Sequence, residues 1–206
     1  MATFNNPRET WNERYAEPDY LFGEEPNEFV RAAVHYFAAG QSVLCVADGE
    51  GRNSVWLAER GLDVTAFDFA PNAVEKARQL ARQRNVHVDL QEGDLHTWNF
   101  VPGWFDALVV IFIQFLAPEE RANAFARMQS AVKPGGLFLL EGYRPEQLQY
   151  RTGGPGAVEN LYTRKWVQST FQGWEILELH EYDAVLREGT RHTGMSALID
   201  LVARKR

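Results

Sequence analysis

Two short polar stretches hold residue types that could bind a nucleoside. Residues 47–51 read Ala-Asp-Gly-Glu-Gly and lie between an apolar run at 43–46 and a helical pattern. Glycine lets the backbone approach a ligand closely, and the start of a helix offers free N–H groups. Asp68 ends the next apolar run, where a carboxylate could accept both ribose hydroxyls of an adenosine. The alternative for Asp68 is a cap for a helix that starts at Pro71.

Polar residues at the ends of later apolar runs extend this set. Asp94 follows the alternating run 86–90, where it could accept from an adenine amino group or belong to an ordinary Gly-Asp turn. Gln114 and Tyr143 follow two further apolar runs. The histidines and acidic residues near the C-terminus lack metal-ligand spacing, so we predict no metal site. No base paired with an orienting group stands out, so the catalytic residue stays unassigned.

The composition argues against several classes of protein. The 206 residues carry a net charge of −7, which disfavours a general nucleic-acid or membrane-surface binder. Cys45 is the only cysteine, so no disulfide framework is possible. Residues 1–10 contain no apolar segment of the kind found in signal peptides, and no run approaches transmembrane length. We expect a cytoplasmic protein with a small-molecule substrate and no nucleic-acid or membrane partner, as a monomer or a homodimer.

The apolar runs predict an α/β fold. Five strand–helix-like units follow one another, with Pro71 and Pro118 at the first positions of two of the helices. The last two runs, 174–186 and 195–203, have no helical stretch between them and must pair as an antiparallel hairpin. We read the whole chain, residues 1–206, as one domain.

Two irregular segments accompany these elements. Residues 1–40 predict a helical turn, an aromatic cap and a helix that Asn27 caps. Tyr20 and Phe22 in the cap are candidates for pocket walls, and packing at the sheet edge is the alternative. The pattern is lost from residue 144 to 160, where a long polar loop after a strand end predicts a lid.

The order of these motifs resembles that of the class I S-adenosylmethionine-dependent methyltransferases. Residues 43–51, Val-Leu-Cys-Val-Ala-Asp-Gly-Glu-Gly, resemble the glycine loop of that family, and Asp68 resembles its ribose-binding acidic residue. Gly93-Asp94-Leu95 resembles the adenine-side motif, and Lys133-Pro134-Gly135-Gly136 resembles the turn before the fifth strand. The resemblance implies a three-layer Rossmann-like methyltransferase fold, in which a seven-stranded, mostly parallel sheet ends in an antiparallel hairpin. It implies S-adenosylmethionine as cofactor, held by Ala47, Asp48, Gly49, Glu50, Gly51, Asn53, Asp68, Phe69, Asp94, Leu95 and Ile111.

Within that family, the chain resembles the tellurite-resistance and thiopurine methyltransferase-like group. The motifs that carry this resemblance include Trp11-Asn12-Glu13-Arg14-Tyr15, Glu50-Gly51-Arg52-Asn53 and Glu141-Gly142-Tyr143. The glycine loop departs from the family pattern Asp-x-Gly, because Cys45 and Ala47 occupy those two positions. Ala47 can keep the tight turn if its φ is negative, and cofactor binding should then survive. Cys45 removes a carboxylate that often supports the methionine end of the cofactor.

The resemblance implies in-line methyl transfer to an acceptor held at near-attack distance. A soft nucleophile, such as a thiolate or a reduced chalcogen, needs little base catalysis. Because no base stands out, we expect a small thiol or a chalcogen oxyanion as acceptor. The side chains expected around it are Tyr20, Gln114, Tyr143, Arg144 and Tyr150. Trp11 or Tyr15 could add a cation–π contact with the sulfonium.

Two alternatives from other classes stay open. An NAD(P)-dependent oxidoreductase would use the same glycines and the same Asp68, although a terminal hairpin is unusual for it. A protein that binds S-adenosylmethionine without catalysis is compatible with Cys45, Ala47 and the unassigned base. Binding of S-adenosylhomocysteine or of NAD separates the first alternative, and turnover of any acceptor removes the second.

Overall fold

The structure, a computed structural model, describes residues 7–206. Within that range, seven strands form one sheet in the order β3-β2-β1-β4-β5-β7-β6. Neighbouring strands are parallel in the pairs β1–β2, β2–β3 and β4–β5, and antiparallel in β5–β7. The predicted mostly parallel sheet that ends in an antiparallel hairpin is confirmed. The strands are β1 (Ser42–Val46), β2 (Asp63–Asp68), β3 (Asp89–Glu92), β4 (Phe105–Ile111), β5 (Val132–Tyr143), β6 (Glu175–Glu188) and β7 (His192–Arg204).

Helices lie between most of these strands. They are α1 (Pro7–Arg14), α2 (Glu28–Ala32), α3 (Arg52–Ala58), α4 (Pro71–Gln83), α5 (Pro118–Ala131), α6 (Gln147–Tyr150) and α7 (Arg164–Thr170). Short 3-10 turns cover Ala33–Tyr36 and Val158–Asn160. None of the helices in residues 7–206 has the length and apolar character needed to cross a membrane.

Local sequence explains where several helices begin. Pro71 and Pro118 occupy first-turn positions of α4 and α5, as predicted, because a proline there loses no helical hydrogen bond. Asn27 caps α2, as predicted, since its side chain accepts a hydrogen bond from the Val30 backbone N–H. Thr163 does the same for α7 through the N–H of Trp166.

Three boundaries differ from the sequence pattern. Strand β3 begins at Asp89 rather than at Val86, because it pairs with β2 only from Thr65 onward. The helix after Asn27 tightens into a 3-10 turn at Ala33 and ends at Tyr36. The turn Lys133–Gly136 lies within β5 and produces a register shift against β4, which Gly135 accommodates with a φ of +79°.

The chain divides into two compact units. The first runs through Trp98 and includes the turn Glu188–Arg191, and the second comprises Asn99–Arg187 and His192–Arg206. In the second unit, Phe125 and Met128 of α5 are buried, as expected for core residues. The reading of residues 1–206 as one domain stays a prediction, and its first six residues lie outside the described part of the chain.

The segment expected to be a patternless loop has more order than predicted. It contains α6 and the 3-10 turn Val158–Asn160. Gln147 is buried, and its Oε1 accepts from the Ala197 N–H at 2.9 Å while its Nε2 donates to Thr152 Oγ1 at 3.0 Å. Sequence periodicity could not show these contacts, because their partners lie up to 50 residues away. The lid role of residues 144–160 stays a prediction.

Candidate functional site

The glycine turn of the first unit connects the end of β1 to the start of α3. Gly49 and Gly51 have φ values of +65° and +90°, a region that L side chains rarely adopt. A Cβ at Gly51 would lie 2.7 Å from the Ala77 Cβ on α4. The turn therefore packs directly against α4, and glycine is required at residue 51 for both space and conformation.

Asp68 ends β2 and holds the glycine turn from the side. Its Oδ2 accepts from the Gly49 N–H at 3.0 Å, and its Oδ1 accepts from the Ala70 N–H at 2.9 Å. The residue is 4% exposed, and burial raises the pKa of its carboxyl to about 6. The cap-like bond to Ala70 and the bond to Gly49 coexist, because they use different oxygens of the carboxylate.

Ala47 does not meet the condition set for it from the sequence. Its φ is +48° rather than negative. The turn keeps the left-handed backbone at this position although the residue has a Cβ. A left-handed L-residue costs on the order of 1–2 kcal/mol, so Ala47 stores strain in the turn.

Replacing Ala47 by glycine is expected to stabilise the protein. Relief of the left-handed strain exceeds the entropic cost of glycine, which leaves a gain of about 0.5–1 kcal/mol in the free energy of unfolding. Urea unfolding of Ala47→Gly measures this gain. Ala58→Gly at the end of α3 is the control and should lose about 0.5–1 kcal/mol, since it opens helical backbone. A loss of stability in Ala47→Gly would contradict the strain.

Carboxylates converge on the glycine turn and on one tyrosine beside it. The Tyr15 hydroxyl lies 3.1 Å from where a Cβ of Gly49 would be, so this ring covers the turn. Burial, followed by the charges of Asp68 and Glu50, raises the pKa of Tyr15 well above its usual value, and Asp48 adds to the effect. Burial raises the pKa of Asp48 to about 6, and its carboxylate accepts from the Ser54 hydroxyl. The turn is therefore a region of negative potential.

The basic groups beside the turn are engaged in buried ion pairs. Lys76 Nζ donates to Glu50 Oε1 at 2.8 Å and to the Asp19 carbonyl at 2.7 Å. Glu50 Oε2 accepts from the Leu21 N–H at 2.8 Å. Arg52 donates to Glu188 Oε2 at 2.9 Å. The positive charges of Lys76 and Arg52 are therefore paired with Glu50 and Glu188, although the charge of Arg52 also lowers the pKa of Asp48.

The other predicted cofactor residues of the first unit lie around this turn. Asn53 is buried and its Oδ1 accepts from the Asn27 N–H at 2.9 Å. Phe69 is half-buried and packs on the cluster of Tyr15 and Leu21. Asp94 is partly exposed and its Oδ1 accepts from the His96 N–H at 2.8 Å, as in an Asx turn, while Leu95 next to it is buried.

Tyr20, predicted as an acceptor ligand, belongs to the aromatic cap of the first unit. Its hydroxyl donates to the Lys76 carbonyl at 3.1 Å, and Lys76 Nζ lies 5.4 Å from its ring. Trp11 stacks on Tyr15 with ring centroids 5.6 Å apart and lies 6.3 Å from Phe22. The cap is thus built by side chains that face the glycine turn and α4.

The remaining acceptor candidates lie in the second unit and form two pairs. Gln114 is bonded to both backbone groups of Tyr143, with its Oε1 accepting from the N–H at 2.6 Å and its Nε2 donating to the carbonyl at 2.8 Å. Arg144 forms an ion pair with Asp183, whose other oxygen accepts from the Tyr150 hydroxyl at 2.7 Å. Ile111, the last residue of β4, is half-buried in the same unit. Their binding roles stay predictions.

Sequence reasoning missed residues that have no motif of their own. Phe112 follows β4 with a φ of +56°, and its ring lies 4.5 Å from that of His192 and 4.7 Å from that of Tyr143. A bulky residue in this conformation is an outlier of the kind that clusters at functional sites. Lys76 and Glu188 were also missed, since their partners are distant in sequence. The motif Glu50-Gly51-Arg52-Asn53 contains the partners of both residues, Glu50 and Arg52, and was the available signal for these ion pairs.

A pair of buried carboxyl groups in the second unit gives a pH-dependent prediction. Glu141 and Asp200 lie opposite each other in β5 and β7, and Tyr182 donates to Asp200 Oδ2 at 2.8 Å. Burial raises the pKa of Asp200 to about 7, with hydrogen bonds from Tyr182 and Glu141 opposing and Glu178 adding to it. A raised folded-state pKa stabilises the protein below the unfolded pKa, and this stability is lost as the pH rises through 7.

Between pH 5 and pH 8, we expect the free energy of unfolding to fall more in the wild type than in Asp200→Asn. The difference should be about 2 kcal/mol, because the amide has no proton to lose. Guanidinium unfolding at both pH values measures it. Asp89→Asn, an exposed change on β3, is the control and should follow the wild type. An identical pH dependence in Asp200→Asn would show that this carboxyl titrates normally.

Comparison with known proteins supports the prediction from the motifs. The model of a methyltransferase domain family matches residues 43–136. The chain is 31% identical over 139 residues to the glycine/sarcosine N-methyltransferase of Parasynechococcus marenigrum, covering 64% of this chain and 45% of that protein. It is 22% identical over 139 residues to the probable S-adenosyl-L-methionine-dependent methyltransferase TehB of Haemophilus influenzae, covering 68% and 48%. The chain thus spans about half the length of these curated relatives.

Solved structures share the fold over most of the chain. The crystal structure of TehB from Haemophilus influenzae has a TM-score of 0.72 at 18% identity, over 97% of this chain and 67% of that one. The N-methyltransferase NodS from Bradyrhizobium japonicum, solved in complex with S-adenosylhomocysteine, has a TM-score of 0.74 at 16% identity, over 96% and 97%. These likenesses show a shared fold.

The methyltransferase-domain match over residues 43–136, the antiparallel end of the sheet and the glycine turn with its acidic partner all point to one class of protein. These features make the chain similar to the class I S-adenosylmethionine-dependent methyltransferases. It is similar to TehB in sequence and in fold, which confirms the predicted resemblance to the tellurite-resistance group. The cofactor of the family is S-adenosylmethionine, as the motifs implied.

Proposed function

We propose that the protein binds S-adenosylmethionine at the glycine turn and methylates a small-molecule acceptor. The observation that carries this proposal is the turn's charge: Asp48, Glu50 and Asp68 surround it, and the neighbouring cations are paired with carboxylates. S-adenosylmethionine carries a sulfonium and an ammonium, so negative potential attracts it. The same potential repels the pyrophosphate of a dinucleotide, which disfavours the oxidoreductase alternative.

The residues present fit this cofactor. Asp68 accepts from the N–H groups of Gly49, Ala70 and Phe69, and we propose that its remaining lone-pair capacity serves the ribose hydroxyls. Asp94 is partly exposed and can accept from the adenine amino group, with Leu95 and Phe69 as apolar neighbours for the base. Ile111 stays a proposed cofactor residue, and Tyr15 is proposed to contact the cationic end.

When bound, the cofactor supplies an electrophilic methyl group on a positively charged sulfur. The acceptor's lone pair forms the new bond to carbon, the carbon–sulfur bond breaks, and its electron pair returns to sulfur. The contribution of the protein is to orient the two reactants and exclude water. The proposed residues for the acceptor are Tyr20, Gln114, Tyr143, Arg144 and Tyr150.

The state of these groups favours an acceptor that is already nucleophilic. Burial raises the pKa of Tyr20, and the hydrogen bond to Asp183 raises that of Tyr150, so neither phenol is a base near neutral pH. Gln114 cannot take up a proton there, and its amide is bonded to backbone. A thiolate or a reduced chalcogen needs no such base. We therefore propose a thiol or a chalcogen oxyanion ahead of an amine or a quinol.

Calorimetric titration tests the cofactor, and an acceptor panel tests the reaction. We expect S-adenosylhomocysteine to bind and NAD not to bind. Methyl transfer is then followed by release of S-adenosylhomocysteine with thiols, selenite, tellurite, glycine and a quinol as acceptors. Binding without turnover of any acceptor would favour the non-catalytic alternative. Turnover of glycine or the quinol alone would leave the proposed methyltransferase activity in place and overturn the proposed acceptor.

Cytoplasmic location, the lack of a nucleic-acid partner and a monomeric or homodimeric state stay predictions.

A further inference from the structure

A buried ion pair in the first unit joins the turn between β6 and β7 to the first turn of α3. Arg52 Nη2 donates to Glu188 Oε2 at 2.9 Å, and the two side chains are 8% and 9% exposed. Arg52 Nη1 also donates to the Phe22 carbonyl at 3.3 Å. The guanidinium thus bonds to the aromatic cap and to the strand turn while its own backbone continues directly from Gly51.

Glu188 binds the cap through its other oxygen. Its Oε1 accepts from Asn27 Nδ2 at 3.1 Å, and Asn27 in turn donates its backbone N–H to Asn53 on α3. Residues Arg52, Asn53, Asn27 and Glu188 therefore form a closed set of buried polar contacts, which we call the clasp.

The backbone beside Glu188 adds a second attachment to the cap. The N–H groups of Thr190 and Arg191 both donate to the Leu21 carbonyl, at 2.9 and 3.3 Å. A Cβ at Gly189 would lie 2.2 Å from that carbonyl oxygen, so glycine is needed for this close approach. Leu21 itself donates to Glu50 of the glycine turn. The clasp and the turn thus share the cap segment from Leu21 to Asn27.

The cost of burying this pair indicates what it does. Two desolvated charges give little net stability over apolar residues of the same size, but such pairs can specify one geometry. The clasp residues Arg52 and Asn53 come directly after Gly51, so they set where the glycine turn ends. The glycine turn has a strained backbone at Ala47 and positive φ values at Gly49 and Gly51. Contacts that fix the residues directly after Gly51 help to hold this conformation.

We propose that Glu188 is a positioning residue for the cofactor site: through Arg52 and Asn27 it holds the glycine turn and the cap in the shape that binds S-adenosylmethionine. The inference rests on the proposed function, since it concerns the same site. A ligand that must order a loosened turn loses affinity by the free energy of that ordering. Loss of the clasp therefore raises the dissociation constant by about tenfold.

The test compares dissociation constants for S-adenosylhomocysteine by calorimetry, with melting temperatures measured in parallel. Glu188→Gln leaves Arg52 without its counterion and should bind about tenfold more weakly. Glu188→Asp, which keeps the charge but is one methylene shorter, should lose less, and it replaces Glu188→Gln if that variant does not fold. Glu181→Gln removes an exposed partner of Arg164 on the same strand and should bind normally.

A second control separates positioning from stability. Ile199→Ala in the core of β7 should lower the melting temperature at least as much as Glu188→Gln while the dissociation constant stays within twofold of the wild type. If Glu188→Gln also binds within twofold of the wild type, the inference is overturned and the proposed function stands. If the wild type does not bind S-adenosylhomocysteine, the proposed function fails and the inference fails with it.

Discussion

Asp68→Ala is expected to bind S-adenosylhomocysteine at least about 100-fold more weakly than the wild type. The substitution removes the proposed acceptor of the ribose hydroxyls, and loss of a charge-assisted pair of hydrogen bonds is worth about 3 kcal/mol. It also releases the Gly49 N–H, which the Asp68 carboxylate holds in the structure. Both effects act on the same site, so they add to one large loss. Calorimetric titration at neutral pH measures it.

The control for this prediction lies on the same strand. Asp63 begins β2 at its exposed end, and Asp63→Ala should bind the ligand normally. The wild type supplies a further check, because the pKa of the Asp68 carboxyl is about 6. Its ionised form accepts the hydroxyls, so affinity should fall as the pH is lowered from 7.5 to 5.5. An Asp68→Ala protein that folds and binds within threefold of the wild type would place the ribose elsewhere.

Lys76→Met is expected to destabilise the protein by about 3–5 kcal/mol, since it leaves the Glu50 carboxylate buried without a counterion. Glu50 is 3% exposed, and its two oxygens are bonded to Lys76 Nζ and to the Leu21 N–H. The loss should appear in urea unfolding followed by circular dichroism. The same variant releases the Asp19 carbonyl, which the lysine also binds.

A double variant shows whether the charge or the packing is responsible. Glu50→Gln combined with Lys76→Met removes both charges, and we expect it to regain about half of the lost stability. Arg82→Ala is the matched control on α4, because Arg82 pairs with Glu75 at the exposed surface, and it should change stability by less than about 0.5 kcal/mol. A loss in Lys76→Met no larger than that of Arg82→Ala would contradict a stabilising role for the buried pair of Lys76 and Glu50.

Much of the architecture could be predicted because local patterns carry it. The apolar run at β4 is buried on both faces, as its continuous apolar sequence predicted for a central strand of a parallel sheet. Proline at the first turns of α4 and α5 and capping by Asn27 are properties of a few adjacent residues. The hairpin followed from the absence of a helix between its strands. The boundaries of β3 and α2 were less accurate, since pairing with distant residues decides them.

The candidate site divides in the same way. The glycine turn and Asp68 lie at the ends of consecutive strands, and parallel strands bring such ends to one edge of a sheet, so chain order alone predicted their contact. The positive φ of Ala47 could not be read from the sequence, because the path imposed by β1, Gly49 and Gly51 overrides the preference of one alanine.

The amino-acid sequence was sufficient to predict the class of fold, the strand ends that carry the candidate ligand-binding residues, and the cofactor. These depend on residue type and spacing within single strand–helix units. The pairing of Lys76 with Glu50 and of Arg52 with Glu188 emerged only from the folded chain. Their partners lie 26 and 136 residues apart, and no local pattern selects one carboxylate among 28 acidic residues. Burial decides which partner each charged side chain has, because a charge that is removed from water needs an opposite charge or hydrogen bonds at that place in the fold.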